Sequence, residues 1–147
     1  METKRCRILL VDDREANFRK IRDLFIEAQP KDCELGWIRS YELGILSIRV
    51  DEWNLILVNQ QVGQQHTGLE FIHHARLWNS SLPFILVSDD EDPRLDYKAR
   101  KIGAIDCVAR ESLTPAYLRE MIGKRANDSI SYSHPSGKIA QVLERLF

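Results

Sequence analysis

The stretch WNLILVNQQVGQQHTGLEFI, residues 53–72, decides the fold of this 147-residue chain. Its continuous apolar run, residues 55–58, is typical of a strand that is covered on both faces of a parallel sheet. A polar loop over residues 59–67 follows, and a helix is predicted over residues 68–78. The stretch therefore indicates one strand–loop–helix unit of an α/β protein.

Similar units occur on both sides of this stretch. Upstream, we predict strands at 7–11 and 33–38, each followed by a helix, at 14–29 and from Ser40 onward. Downstream, we predict strands at 84–87 and 105–109, followed by helices from Pro93 to Gly103 and from Thr114 to about residue 125. Repeated strand–helix units predict a parallel sheet with helices packed around it. The second strand alternates polar and apolar residues, which places it near the edge of the sheet.

The composition excludes several classes of protein. With 44% hydrophobic and 29% charged residues, the chain matches a single globular domain. Its 21 basic and 22 acidic residues leave a formal charge of −1, which argues against nucleic-acid binding. No apolar run approaches the ~20 residues of a membrane span, and the one after residues 4–7 is too short for a secretion signal. We therefore expect a soluble, cytoplasmic protein with no membrane or nucleic-acid partner.

The pattern changes near the end of the chain. We assign residues 1–126 to the globular domain, residues 127–137 to a Ser-, Asn- and Gly-containing linker, and residues 138–147 to a short amphipathic helix. That helix either packs on its own domain or contacts a partner or a second copy. The linker fits either a complete small protein or a connection to an output domain. The three cysteines, Cys6, Cys33 and Cys107, lack zinc or redox spacing, and we interpret them as small buried side chains.

Candidate functional residues lie where the strands end. Ligands of open parallel sheets bind at the carboxyl ends of the strands. Asp12 and Asp13 follow the first strand, and Asn59, Ser88 and Arg110 end or follow the third, fourth and fifth.

Four segments in this order resemble the receiver domains of two-component response regulators. They are RILLVDD (7–13), the opening stretch 53–72, PFILVSDD (83–90) and ARKIGAIDCVARESLTPAYL (99–118). The resemblance implies a flavodoxin-like, doubly wound (βα)5 fold, a three-layer sandwich around a five-stranded parallel sheet. Receivers with a similar final loop often precede sensory kinases or cyclic-di-GMP enzymes, which suggests such partners.

The resemblance also implies roles for the strand-end residues. In active receivers, an aspartate after the third strand accepts a phosphoryl group, and an acidic pair holds Mg²⁺. A hydroxyl residue and a lysine contact the phosphoryl oxygens. Asp12 and Asp13 match the acidic pair and Ser88 matches the hydroxyl, so weak Mg²⁺ binding by the pair with the Asn59 carbonyl is one expectation. The alternative is that Asp12 and Asp13 are merely solvated.

Three positions depart from the family pattern. Asn59 stands at the phosphoacceptor position, and an amide cannot form an aspartyl phosphate. Arg110 replaces the lysine with a bulkier planar cation, and Cys107 replaces the usual aromatic switch residue. An ion pair of Arg110 with Asp12, Asp13 or the acidic run 89–92 is one alternative. For the acidic run, the favoured interpretation is a solvated loop whose charges interact well with the start of the next helix.

These departures predict a degenerate receiver, or pseudo-receiver, rather than an enzyme. We expect a phosphorylation-independent module that binds a signalling kinase, an output domain or a second copy of itself, most simply through its fourth helix, fifth strand and fifth helix. Two alternatives remain. The chain could accept a phosphoryl group on another carboxylate such as Asp13, or could sense a small acidic ligand through Arg110 and Ser88.

Overall fold

The computed structural model describes residues 6–128, and for residues 125–128 the backbone alone. These residues contain seven strands and five α-helices, with three consecutive strands between the second and third helices. The strands are β1 (Cys6–Val11), β2 (Cys33–Ile38), β3 (Leu55–Asn59), β4 (Gln61–Val62), β5 (His66–Thr67), β6 (Phe84–Ser88) and β7 (Asp106–Ala109). The helices are α1 (Glu15–Ala28), α2 (Tyr41–Val50), α3 (Gly68–Trp78), α4 (Pro93–Lys101) and α5 (Pro115–Asp128).

Five strands form one parallel sheet in the order β2-β1-β3-β6-β7. Chain order reverses direction at β1, which makes the sheet doubly wound. Helices α2, α3 and α4 cover one face and α1 and α5 cover the other, so two separate apolar clusters form on the two sides. The predicted α/β, flavodoxin-like three-layer fold is confirmed.

Burial explains the strand order. Every residue of β3 and β6 is buried, as their uninterrupted apolar runs predict for central strands. Strand β2 is only half-buried and lies at one edge, as its alternating pattern indicates.

The helix ends follow the predicted start signals. The hydroxyl of Ser40 accepts a hydrogen bond from the Leu43 N–H at 3.0 Å, which caps α2. Asp92 caps α4 ahead of Pro93 in the first turn. The Thr114 hydroxyl accepts from the Tyr117 N–H at 3.0 Å at the start of α5.

One local prediction needs correction. The loop predicted over residues 59–67 contains an antiparallel hairpin, β4–β5, which turns at Gly63 with a φ of 72° and buries Val62. Strands of two residues are too short to show a periodic pattern. On α3, the Trp78 side chain is 51% exposed, and the Arg49 guanidinium carbon lies over its ring, 3.9 Å from the centroid.

Helix α5 continues to Asp128, three residues beyond its predicted end. The rest of the predicted linker and the predicted helix 138–147 lie outside the described residues. No helix within residues 6–128 combines the length and hydrophobicity needed to cross a lipid bilayer.

Candidate functional site

The predicted residues lie together at the carboxyl ends of four strands of the parallel sheet. Asp12 follows β1, Asn59 ends β3, Ser88 ends β6 and Arg110 follows β7. Asp12, Asn59 and Ser88 are 0%, 4% and 2% exposed, although all three are polar. Buried polar groups at a sheet edge must find partners, and those partners determine what the site can do.

Arg110 lies at the centre of this site, and its side chain is only 15% exposed. Its Nη2 donates a short hydrogen bond to the Asn59 side-chain oxygen and another to Asp89 Oδ1 at 3.1 Å. Its Nη1 lies 4.0 Å from Asp12 Oδ2. One guanidinium therefore links three loops of the sheet edge.

Asp12 is a buried carboxylate held by its own loop. Its two oxygens accept from the Arg14 N–H at 3.0 Å and from Asn17 Nδ2 at 2.9 Å. Burial raises the pKa of Asp12, while these two hydrogen bonds and the Arg110 charge oppose the rise. The site thus contains the Asp12 carboxylate, whose charged form is destabilised by burial, and the positively charged Arg110 guanidinium facing it.

Side-chain hydrogen bonds fix the loops around the site. Asn59 Nδ2 donates to the Gln61 carbonyl at 2.8 Å. Gln60 Oε1 accepts from the Asp89 N–H at 3.1 Å, which ties the loop after β3 to the loop after β6. Gln60 was not among the predicted site residues. Asp89 was included only within the acidic run, one part of which pairs with Arg110 while another, Asp92, caps α4.

Among the described residues, the remaining predicted positions have hydrogen-bond partners or neighbours other than Arg110. The Ser88 hydroxyl donates to the Asp90 carbonyl at 2.7 Å, within its own loop. Cys107 and Ser88 both line a cavity of about 390 Å³ between α4 and β7. Burial raises the pKa of the Cys107 thiol, and the nearby carboxylates of Asp96 and Asp106 add to this rise. Asp13 is half-buried, and its backbone carbonyl accepts from Arg39 at 3.4 Å.

Solved structures with this architecture are numerous. A response regulator receiver domain protein (CheY-like) from Methanospirillum hungatei JF-1 is 20% identical, with a TM-score of 0.70, and the match covers 87% of this chain and 98% of that one. The signal receiver domain of an HD domain-containing protein from Pseudomonas fluorescens Pf-5 is 20% identical, with a TM-score of 0.74 and coverages of 89% and 93%.

An orphan response regulator of H. pylori is 19% identical, with a TM-score of 0.67 and coverages of 84% and 99%. This chain has the receiver-domain fold. No protein-family model matches its sequence, and no curated protein does so either. The likeness to receivers is therefore one of structure.

In this receiver fold, the residues predicted to hold Mg²⁺ do not fit the ion. The positively charged Arg110 guanidinium already bonds the Asn59 side-chain carbonyl and lies beside Asp12. It therefore engages two of the three residues that were predicted to bind Mg²⁺. Residues 6–128 contain no group of three or more His, Cys, Asp or Glu side chains that could hold a metal. A divalent ion would have to displace the guanidinium from between its partners.

Proposed function

We propose that this chain is a two-component signalling module of the receiver fold that works without phosphorylation and acts by binding other proteins. One observation carries the proposal. The Arg110 guanidinium is bonded to Asn59 and Asp89 and lies beside Asp12, at the position where an active receiver would hold its metal and phosphoryl group.

Two chemical arguments support the absence of phosphoryl transfer. The Asn59 amide is a poor nucleophile, and its nitrogen is already engaged with the Gln61 carbonyl. Transfer also needs a cation that neutralises the incoming oxygens and can move with them. Arg110 supplies a fixed charge that its three partners hold in place, so the site resembles one permanent state of a switch.

The surface formed by α4, β7 and α5 suits a constitutive contact, and we name it the α4–α5 face. Arg100 bonds Asp96 at 3.1 Å and Asp106 at 2.8 Å, and the Tyr117 hydroxyl donates to Asp106 at 2.7 Å. This network connects all three elements. A rigid surface loses little conformational entropy when it binds, which favours a docking role.

The partner is a protein in this proposal: a signalling kinase, an attached or separate output domain such as a cyclic-di-GMP enzyme, or a second copy of the chain. The neighbour from P. fluorescens belongs to an HD domain-containing protein, and the H. pylori neighbour is an orphan regulator. The first of these neighbours is a receiver domain in a protein that has a further domain, which supports an attached output domain as one candidate partner. We further propose that the module is cytoplasmic, is not an enzyme and requires no metal.

The test is the intact mass of the chain after incubation with a small acyl-phosphate donor and Mg²⁺. Three proteins are compared: the native chain, Asn59→Asp, and Asn59→Asp combined with Arg110→Lys. We expect the native chain to stay unmodified. The single variant should label poorly, because Arg110 would pair with the new carboxylate, and the double variant should label best.

Labelling of the native chain would overturn the proposal and would require mapping of another acceptor, with Asp13→Asn as the first variant to examine. Equal labelling of the single and double variants would show that Arg110 does not block the site. A rise in melting temperature with small phosphate or carboxylate ligands would instead favour an acidic-ligand sensor.

A further inference from the structure

The amino ends of β1 and β2 place two cysteines side by side. Cys6 and Cys33 are direct partners in the parallel register of these strands. Cys6 is 6% exposed, whereas Cys33 begins the edge strand and is half-buried. Both side chains belong to the apolar cluster beneath α1 and α5, so they point to the same face of the sheet.

The distances suit a covalent bond. Neighbouring strands lie ~4.8 Å apart, and a disulfide accepts Cα–Cα separations of roughly 4.4–6.8 Å. The proximity of the two thiols lowers the pKa of Cys6 and raises the pKa of Cys33. Both sulfurs are free thiols in the structure.

The third cysteine cannot take part. Cys107 lies on β7, at the opposite edge of the sheet from β2. Two strands separate it from Cys6 and three separate it from Cys33, which corresponds to about 14 Å or more. The fold therefore singles out one pair among the three thiols of the chain.

We propose that Cys6 and Cys33 form an oxidation site that converts reversibly to an intramolecular disulfide when the folded protein meets a small disulfide oxidant. In a reducing compartment such a bond is transient and is typical of redox sensing rather than permanent structure. The partly exposed Cys33 gives oxidant and reductant access to the pair.

The reaction is two successive thiol–disulfide exchanges. One of the two protein thiolates attacks one sulfur of oxidised glutathione, which forms a mixed disulfide and releases one glutathione thiolate. The other protein thiolate then attacks the protein sulfur of the mixed disulfide, which forms the Cys6–Cys33 bond and releases the second glutathione. Two protein thiols lose their protons and are oxidised, and one glutathione disulfide is reduced to two thiols.

The bond would act on stability and leave the site around Arg110 in place. It would join the edge strand to β1 and close a loop that contains α1, which constrains the unfolded chain. Cys6 begins β1, whereas Asp12 follows the carboxyl end of that strand. The cross-link therefore lies at the amino ends of the strands, away from the site at their carboxyl ends.

The test incubates the folded full-length chain with oxidised glutathione and measures its mass, its free thiols and a non-reducing peptide map. We expect a loss of two hydrogens, a decrease from three free thiols to one, and a peptide joining Cys6 to Cys33. Melting temperature should rise by roughly 5–10 °C and return after reduction.

Variants identify the pair. Cys107→Ser should oxidise like the native chain. Cys33→Ser should remain without an intramolecular bond, and Cys6→Ser should accumulate a glutathione adduct on Cys33. Because Cys6 is buried and its variant could fold poorly, Cys33→Ser alone suffices.

Oxidation in concentrated urea is a further control, since it should yield mixed pairings that include Cys107. In the folded protein, three remaining thiols, a stable glutathione adduct, a link to Cys107 or a disulfide between two chains would each overturn the proposal.

Discussion

Arg110 compensates the negative charge of the buried Asp12 carboxylate. The carboxylate is fully buried and the guanidinium is its nearby countercharge, with 4.0 Å between Oδ2 and Nη1. We expect Arg110→Ala to lower the free energy of unfolding by about 2 kcal/mol, because it leaves a buried charge uncompensated. The measurement is urea unfolding at neutral pH.

A double-mutant cycle separates this pairing from simple loss of side-chain contacts. In an Asp12→Asn background there is no buried charge to compensate, so Arg110→Ala should cost clearly less. Arg19→Ala serves as the control because it removes an exposed ion pair with Glu15, and we expect a change below about 0.5 kcal/mol. Equal costs of Arg110→Ala in both backgrounds would contradict coupling with Asp12.

The buried Asp12 carboxyl also predicts a pH dependence. Its pKa is raised from 3.8 by burial, so the folded chain binds this proton more tightly than the unfolded chain does. The resulting stabilisation is present below pH 3.8 and is lost as the pH rises through the folded-state pKa. Asp12→Asn should therefore melt at a higher temperature than the native chain at pH 7, and the difference should vanish in acid.

Thermal melts of both proteins between pH 3 and pH 7 give this comparison directly. Asp13→Asn, at the half-buried neighbouring position, provides the control. A native chain that is more stable than Asp12→Asn at pH 7 would show that Arg110 and the local hydrogen bonds outweigh the cost of burial.

At the scale of elements, Gly68 determines how closely α3 begins to the end of β3. A Cβ at this position would lie 2.3 Å from the Asn59 carbonyl oxygen and 2.5 Å from Leu86 Cδ1. Backbone cannot yield as a flexible side chain can, so we expect Gly68→Ala to destabilise the fold by about 1–3 kcal/mol. Urea unfolding measures this change.

Gly123 offers the matched control, because it lies in α5 and, within the described residues, no atom outside its own stretch of helix lies within 4 Å of the place that an added Cβ would take. Gly123→Ala should stabilise the helix by about 0.5–1 kcal/mol. A Gly68→Ala protein as stable as the native chain would mean that α3 can shift away from Asn59.

The elements that sequence analysis predicted best are those with long apolar patterns. Strands β1, β3 and β6 are buried on both faces, so their runs stand out without any knowledge of the fold. The β4–β5 hairpin could not be predicted this way, because two-residue strands depend on Gly63 and on the buried Val62 rather than on periodicity.

The candidate site was predictable for a topological reason. Parallel strands end at the same edge, so Asp12, Asn59, Ser88 and Arg110 had to lie near one another. The sequence did not predict which carboxylate pairs with Arg110, because that pairing depends on the conformation of the loops. The hydrogen bond from the Asp89 N–H to Gln60 holds the loop where Asp89 meets the guanidinium.

At the scale of the whole molecule, a fixed site should leave the α4–α5 face in one permanent arrangement. Tyr97 on α4 is 66% exposed, and Lys101 Nζ lies 5.9 Å from its ring centroid. Asp106 on β7 joins α4 to α5 through an ion pair with Arg100 and a hydrogen bond from the Tyr117 hydroxyl. Exposed aromatic side chains are enriched at protein interfaces. If the native partner is a second copy, the face should pair without any phosphodonor.

Sedimentation equilibrium over a range of concentrations tests this pairing. In that case we expect the native chain to dimerise and Tyr97→Asp to weaken the dimer by about tenfold or more, because the change replaces an exposed aromatic side chain of the face with a charge. Leu77→Asp is the matched control, since Leu77 is 75% exposed but lies on α3, outside the α4–α5 face. A dimer that weakens with Leu77→Asp and not with Tyr97→Asp would place the interface elsewhere, and a chain that remains monomeric throughout would exclude self-association, which leaves a different protein as the partner of this face.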